Sequence, residues 1–281
     1  MTAASSVAPN RTRSRLAAIR EAAPHPTRWR HVVGYMVAVY RREWQGSVFS
    51  GFIEPLVVLA GLGIGLGVLV GDKAAEITGG VSYVAYIAPA LMVSSAMNLA
   101  TSEAAWPILA RVAWVRIYHA IIATPLNAAD VMVGAIAFIV GKVAFAAAFF
   151  AGVLLLTGIA TSPTGALGML AISMLTAFAF GAPMAAFSVT QKSDQGFAFL
   201  FRLIITPLTF FSGTYFPIEN LPFAAQVLSW CTPLAHGVAL SRSLALGTPV
   251  TYIWFHVGAL LLWGIVGTVA AIYLFRKRML K

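Results

Sequence analysis

Six long apolar stretches, almost free of charge, constrain this chain more than any other feature of its sequence. They are predicted as membrane spans at residues 48–70, 83–100, 134–158, 166–189, 197–213 and 252–274. A bilayer core about 30 Å thick takes roughly 20 helical residues to cross, and most of these stretches approach or exceed that length. A soluble domain averages about 25% charged residues, whereas this chain has 10% charged and 59% hydrophobic residues. The sequence therefore predicts an all-α, polytopic membrane protein with six transmembrane helices.

Positive charge is concentrated at the two ends of the chain. Eight arginines precede residue 43, and four lysines and arginines follow residue 275. Because the cytoplasmic flanks of membrane proteins are rich in Lys and Arg, this pattern predicts a multi-pass protein of the cell (inner or plasma) membrane with both termini in the cytoplasm. Basic ends around a middle with few charges also argue against nucleic-acid binding, despite a net charge of +10.

The segment before the first span is amphipathic. At 100° per residue its apolar side chains fall on one arc and most of its charges on the other, which predicts a helix lying in the headgroup plane. The residues assigned to this interfacial helix are Trp29, Arg30, Arg41, Arg42 and Trp44. A cytosolic helix packed on a partner remains the alternative. The predicted plan is thus a disordered basic tail (1–27), an interfacial helix (28–46), a six-span domain (47–275) and a basic cytoplasmic tail (276–281).

Two shorter apolar stretches lie between the fifth and sixth spans. Leu221–Cys231 and Leu234–Leu244 each provide about 11 residues, roughly 16 Å of helix, which is too short to cross the bilayer. Thr232 and Pro233 separate them. They predict an extracellular re-entrant helical hairpin at about residues 216–244.

Three charged residues fall inside predicted spans: Glu54, Lys142 and Arg202. A charge at the centre of a membrane helix costs about 2.5–3.5 kcal/mol on insertion scales, so each needs a partner, water or a route to the interface. Arg202 lies near a span end and can extend to the interface. For Glu54 two interpretations stay open, a structural ion pair or a place in the substrate path.

The sequence contains no motif for nucleotide hydrolysis or other catalysis. It lacks a G-x-x-x-x-G-K-[ST] phosphate loop and the H-E-x-x-H and G-x-S-x-G motifs. The single cysteine, Cys231, permits neither an intrachain disulfide nor a cysteine cluster, and it and His236 are expected to be packed residues rather than metal ligands. We therefore predict a protein that is not an enzyme and binds no metal or cofactor, with any transport energy supplied from elsewhere.

The connection between the second and third spans, Thr101–Asp130, is too apolar for a solvated loop. Its most apolar residues are Trp106, Ile108, Leu109, Val112, Trp114, Val115, Ile117 and Tyr118. Such side chains either lie on the membrane or insert into a groove of a partner protein.

Taken together, these segments resemble the permease subunits of type-2 ABC exporters, notably the nodulation lipo-oligosaccharide and daunorubicin-resistance exporters. The matching segments are Glu54-Pro55 with the glycine-rich first span, YIAPALMVSSAM (Tyr86–Met97), YHAIIATPLNAADVMVG (Tyr118–Gly134), FFSGTYFPIENLP (Phe210–Pro222) and TPLAHGVALSRSLALG (Thr232–Gly247). The last two are the most specific. One departure is Ala135, where relatives often carry an acidic residue, so no partner for Lys142 is evident there.

The resemblance implies two copies of a separate ABC ATPase, which bind ATP and Mg, and a second permease subunit, identical or similar. It implies outward export of an amphiphile such as a glycolipid, a lipid-linked saccharide or a drug. A coupling segment, Glu103–Tyr118, would contact the ATPases through Glu103, Arg111, Trp114, Arg116 and Tyr118. The residues implied in the translocation path or gate are Glu54, Phe211, Tyr215, Phe216, Pro217 and His236.

Two other functions stay open from the residues alone. An ion-coupled secondary transporter could use Glu54, Lys142 and Arg202, but such folds usually contain internal repeats, and the two halves of this chain show no convincing similarity. A membrane-embedded lipid-modifying enzyme would need a catalytic cluster, for which the sequence offers no candidate.

Overall fold

The computed structural model describes residues 27–48, 53–61, 80–249 and 252–279, without the side chains of residues 43–48 and 54–55. All regular structure in these ranges is helical. Four helices are long and apolar enough to cross a membrane, and they cover Tyr83–Trp114, Ala128–Leu156, Pro163–Ser188 and Ile253–Met279. This architecture agrees with the predicted all-α, polytopic membrane protein.

Shorter helices precede these four or lie between them along the chain. In chain order they are α1 (Trp29–Val48), α2 (Glu54–Ala60), α3 (Tyr83–Leu109, extended by the π-helical residues Ala110–Trp114), α4 (Ile117–Ile122), α5 (Ala128–Leu156), α6 (Pro163–Ser188), α7 (Gln195–Leu200, extended by the π-helical residues Phe201–Ile205), α8 (Thr206–Phe211), a 3-10 turn (Ile218–Asn220), α9 (Phe223–Trp230), α10 (Pro233–Leu246) and α11 (Ile253–Met279).

The long helices begin where the sequence supplies a cap. Asn127 and Asp130 form a capping box at the start of α5, in which each side chain accepts a hydrogen bond from the other residue's backbone N–H, at 2.8 and 3.1 Å. Ser162 caps α6 and Pro163 takes its first position, where a missing N–H costs nothing. Ser82 caps α3 in the same manner as Ser162. These caps fix where three of the four long helices start.

Helix α3 extends beyond the span predicted at residues 83–100. The sequence-based prediction ends this span at Ala100 and treats Thr101–Asp130 as the connection to the next span. In the structure the helix continues to Leu109 and then through a π-helical segment to Trp114. It does so because Glu103 is paired inside the bundle and because Ile108, Leu109 and Val112 are buried in the core of the chain.

The other predicted spans correspond to helices with small shifts at their ends. The predictions 134–158, 166–189 and 252–274 correspond to α5, α6 and α11, of which α11 continues to Met279. The fifth prediction corresponds to Gln195–Phe211, which is about 25 Å long and shorter than the other four. The first, 48–70, lies largely outside the described residues, and α2 is its described part.

Helix α6 lies at the centre of the bundle, in contact with α3, α5, α10 and α11. Its contact with α11 is very close, because Gly264 and Gly267 of α11 face Phe178 and Pro183 of α6. A Cβ atom at either glycine would overlap those residues. Small residues at such contacts allow two helix backbones to approach in a membrane.

Replacing Gly267 with alanine is expected to destabilise the protein by about 1–3 kcal/mol. The added methyl group would meet the backbone N and Cδ of Pro183, which cannot rotate away. Gly258→Ala on the same helix is the matched control, because nothing lies within 4 Å of its Cβ position. Thermal unfolding of both variants in detergent measures the difference, and equal midpoints would contradict this close contact.

Candidate functional site

The coupling segment predicted at Glu103–Tyr118 comprises the end of α3, its π-helical extension and the start of α4. It turns sharply at Arg116, whose φ of 55° is left-handed and costs about 1–2 kcal/mol for a residue other than glycine. The turn leaves Trp114 and Val115 on the surface, with 56% and 63% of each residue exposed. Trp114, Val115 and Arg116 therefore form an exposed apolar and cationic corner, which we name the 114–116 corner.

The five predicted coupling residues differ in their access to a partner. Trp114 and Arg116 are exposed and Arg111 is half-buried, whereas Tyr118 is 0% exposed. The Tyr118 ring packs edge-on against Phe275 of α11, with 5.7 Å between ring centroids. Burial raises the pKa of Tyr118, and nearby Arg111 partly opposes this shift. Tyr118 thus holds α4 against α11, and its buried side chain is not available for contact with a partner protein.

Glu103 points into the bundle and forms an ion pair with Lys142. Lys142 Nζ donates a hydrogen bond to Glu103 Oε1 at 2.6 Å, and the two side chains are 8% and 20% exposed. Sequence reasoning noted both residues and missed their pairing. Glu103 is the only charge of α3 up to Leu109, and Lys142 is the only charge of α5 beyond its first turn. An isolated charge in each of two apolar helices was the signal that could have found the pair.

The other two charged residues of the predicted spans are placed differently. Arg202 is exposed on the π-helical extension of α7. Glu54 begins α2, and its side chain lies outside the described residues.

The predicted interfacial helix is α1, and it packs along α5 through one buried stripe. Val32 and Met36 are buried, and Gly134 of α5 lies directly beneath Val32, where a Cβ atom would overlap the valine side chain. Of the residues predicted to face the membrane surface, Arg30, Arg41 and Arg42 are exposed and Trp29 is half-buried; the side chain of Trp44 lies outside the described residues. The exposed cations leave the outer face of α1 available to phosphate headgroups.

Four of the six residues predicted in the translocation path or gate lie in or directly before a turn formed by residues 212–217, which we name the 212–217 turn. Phe211 ends α8 with an exposed side chain, and its carbonyl accepts a hydrogen bond from Ser229 Oγ of α9 at 2.6 Å. Tyr215 stacks on Phe210, with 5.2 Å between ring centroids. Phe216 and Pro217 are half-buried beside them.

Arg242 of α10 ties the 212–217 turn to the start of α3. Its Nε donates to the Tyr86 carbonyl at 3.2 Å, and its Nη2 donates to the Gly213 carbonyl at 2.7 Å. The guanidinium also lies 3.7 Å from the centroid of the Tyr86 ring. Two further hydrogen bonds join the same parts, between Ser94 and Thr214 and from the Tyr83 hydroxyl to the Tyr215 carbonyl. Sequence reasoning assigned no role to Arg242, although a cation in the apolar hairpin already required partners.

His236 is buried where α10 meets α11. Its Nδ1 lies 2.8 Å from Nδ1 of His256, and the Trp230 ring packs against both imidazoles. His236 is therefore a packed residue, as predicted, whereas Cys231 is exposed. Within the described part of the chain, no three His, Cys, Asp or Glu side chains are grouped to hold a metal ion.

Comparison with known proteins places the chain in a family. Residues 27–246 match the ABC-2 type transporter family. The chain is 34% identical over 252 residues to nodulation protein J of Rhizobium leguminosarum bv. trifolii, covering 87% of this chain and 94% of that protein. Nodulation protein J of Rhizobium meliloti (strain 1021) is 32% identical over 251 residues, with the same two shares covered.

A third relative, nodulation protein J of Bradyrhizobium diazoefficiens, is 32% identical over 252 residues, again covering 87% of this chain and 94% of that protein. No solved structure matches the chain. The family match runs from α1 to the end of α10 and so includes both the coupling segment and the 212–217 turn. The chain is therefore a multi-pass membrane permease that belongs to the ABC-2 type transporter family and is related over most of its length to nodulation protein J.

Proposed function

We propose that this chain is the permease subunit of an ATP-driven exporter that moves an amphiphile from the cytoplasmic side of the membrane outward. The relatives are nodulation proteins, and we place a lipo-oligosaccharide or another glycolipid first among the cargoes, with drugs as a second class. The sequence lacks a phosphate-binding loop. The energy would therefore come from separate ATPase subunits, two copies of which would serve a pair of permease subunits, most simply identical ones.

The observation that carries this proposal is the course of α3. Its first turns are bound to the 212–217 turn and to Arg242, and its far end carries the 114–116 corner. The helix and its π-helical extension together run from Tyr83 to Trp114. A continuous helix of this length connects a site suited to partner contact with a site suited to gating, so a push at one end displaces the other.

The proposal includes a topology of six spans with both termini in the cytoplasm. Gln195–Phe211 would be the fifth span, α9 and α10 would form the re-entrant hairpin on the outer side, and α1 would lie along the cytoplasmic interface. The cation-rich ends of the chain, at residues 1–27 and 276–281, support this orientation.

The proposed path runs between the two permease subunits toward the 212–217 turn. An apolar tail would slide along the spans while the polar head passes Phe211, Tyr215, Phe216 and Pro217, with Glu54 and His236 beside the path. The pairing of Lys142 with Glu103 argues against the ion-coupled alternative, because that lysine is already neutralised by a structural partner.

Replacing Trp114 with alanine tests the coupling role. We expect export by the permease reconstituted with its ATPase subunits to fall several-fold, with membrane insertion unchanged, because Trp114 is an exposed aromatic anchor and such residues dominate interface energies. Trp254→Ala is the matched control, since Trp254 is an even more exposed tryptophan on the first turn of α11. Unchanged export and unchanged stimulation of ATP hydrolysis in Trp114→Ala would refute the role.

The same preparation separates the rival functions. Export that survives collapse of the ion gradients but stops without ATP supports the proposal. Export that stops when the gradients collapse, with ATP still present, would favour a secondary transporter. Chemical turnover of a lipid by the purified chain alone would favour an enzyme.

A further inference from the structure

Lys142 lies where three helices meet. Its Nζ is 2.6 Å from Glu103 Oε1 on α3 and 4.8 Å from the centroid of the Tyr40 ring on α1, while the lysine itself belongs to α5. The lysine side chain is only 8% exposed. One buried ammonium group is thus shared between the interfacial helix and the helix that carries the coupling segment.

The Tyr40 ring is held firmly in its position over the ammonium. It packs edge-on against Phe138, with 6.0 Å between ring centroids, and Phe138 precedes Lys142 by one helical turn on the same face of α5. One turn before Phe138, Gly134 receives Val32 of α1 in a close contact. Helix α1 therefore follows a continuous stripe of α5 that ends at Lys142.

The buried charge of Lys142 explains why α1, α3 and α5 are expected to move as a unit. An ammonium group is costly inside a membrane protein unless a carboxylate or an aromatic face compensates it. Here Glu103 supplies the carboxylate and Tyr40 supplies the aromatic face. If α1 or α3 moved away from α5, the ammonium would lose part of that compensation, so the electrostatics oppose independent movement of the three helices.

We propose that Lys142 is a positioning residue for coupling, which binds α1 and α3 to α5 so that a push on the 114–116 corner moves all three helices together. The inference rests on the proposed function, in which separate ATPases push that corner. It also assigns Glu103 a different role from direct contact with an ATPase, because its carboxylate acts through Lys142. Tyr40 becomes the residue through which the interfacial helix joins the movement.

Tyr40→Leu, with Tyr40→Phe as its matched control, tests the contact between α1 and Lys142. Phenylalanine keeps the ring face above Nζ and leucine removes it. We measure export per ATP hydrolysed in proteoliposomes that contain the permease and its ATPase subunits. Tyr40→Phe is expected to stay within about twofold of wild type, and Tyr40→Leu to export roughly five- to tenfold less per ATP while hydrolysis continues.

The exchange Glu103→Lys with Lys142→Glu tests whether the three-way contact or the ion pair alone is needed. The double variant restores opposite charges between α3 and α5, so it is expected to insert and assemble like wild type, whereas Lys142→Glu alone is not. It places a carboxylate under the Tyr40 ring, whose negative face repels it. Export per ATP is therefore expected to stay as low as in Tyr40→Leu.

Two outcomes would overturn the inference. One is wild-type export per ATP in Tyr40→Leu, and the other is full recovery in the charge-exchanged variant, which would reduce the role of Lys142 to a simple ion pair. Neither result bears on the proposed function, which is tested with the wild-type complex. If the wild-type complex shows no ATP-dependent export at all, the proposed function itself is wrong.

Discussion

Replacing Arg242 with alanine is expected to reduce export to background and to lower the yield of folded protein. The guanidinium donates to the carbonyls of Tyr86 and Gly213 and covers the Tyr86 ring. Alanine would leave two carbonyls without that donor, and hydrogen bonds to charged groups contribute about 1.5–3 kcal/mol each. Because Tyr86 is only 5% exposed, water cannot readily replace the arginine. The 212–217 turn would then lose its firmest connection to α3.

Arg242→Lys separates charge from geometry at the same position. A lysine keeps the positive charge, but its ammonium cannot stack flat on a ring and reach both carbonyls. We expect Arg242→Lys to insert normally and to export at least tenfold less than wild type, measured in reconstituted vesicles at equal protein. Lys192→Ala removes one positive charge from an exposed residue and should export normally. Normal export by Arg242→Lys would mean that the position needs only a charge.

Most of the fold was accessible from the sequence because it follows from local patterns. The apolar length of a span and the cap before it are both readable from neighbouring residues, as at Asn127 before α5 and Ser162 before α6. Because the prediction relied on local patterns, it also placed the end of α3 too early in the chain. A local pattern shows a glutamate as an interruption, and only the packed structure shows that Lys142 neutralises it.

The candidate site was accessible only in part because its contacts join residues far apart in the chain. Glu103 pairs with Lys142, which lies 39 residues further on, and Arg242 binds the carbonyl of Tyr86 from 156 residues away. A lone charge in an apolar helix indicates that the charge needs a partner, but the local sequence does not show which residue that partner is. Composition drew attention to the segment that contains the 114–116 corner, because it is too apolar for a solvated loop, whereas the gate residues of the 212–217 turn were implied by the family resemblance alone.

These long-range contacts change how the coupling segment is understood. The family resemblance implied five residues that would contact an ATPase, and the structure divides them by exposure. Trp114 and Arg116 form a surface, while Glu103 and Tyr118 hold that surface to α5 and α11. In the proposed mechanism, separate ATPases push on this corner. A rigid support behind the corner passes that movement on to the helices, whereas a flexible corner would deform and absorb it.

Tyr118→Ala is expected to be among the most destabilising single changes in this chain. Its side chain is 0% exposed, and its ring packs edge-on against Phe275 in the largest apolar cluster of the bundle. Truncation of a buried aromatic side chain to alanine costs about 3–5 kcal/mol, a large part of the 5–15 kcal/mol that usually separates folded from unfolded protein. We expect little folded protein and no export.

Tyr118→Phe, by contrast, is expected to raise the thermal unfolding midpoint slightly or leave it unchanged, with normal export. Among the described residues the buried Tyr118 hydroxyl makes no hydrogen bond of good geometry, although Arg111 lies close enough to oppose the rise in its pKa. A buried polar group without a good partner costs about 1–3 kcal/mol. Phenylalanine keeps the ring contact with Phe275 and removes that cost. Thermal unfolding in detergent and export in vesicles measure both variants. If Tyr118→Phe lost export at normal stability, the hydroxyl would have to act on a partner directly, and the supporting role of Tyr118 would be wrong.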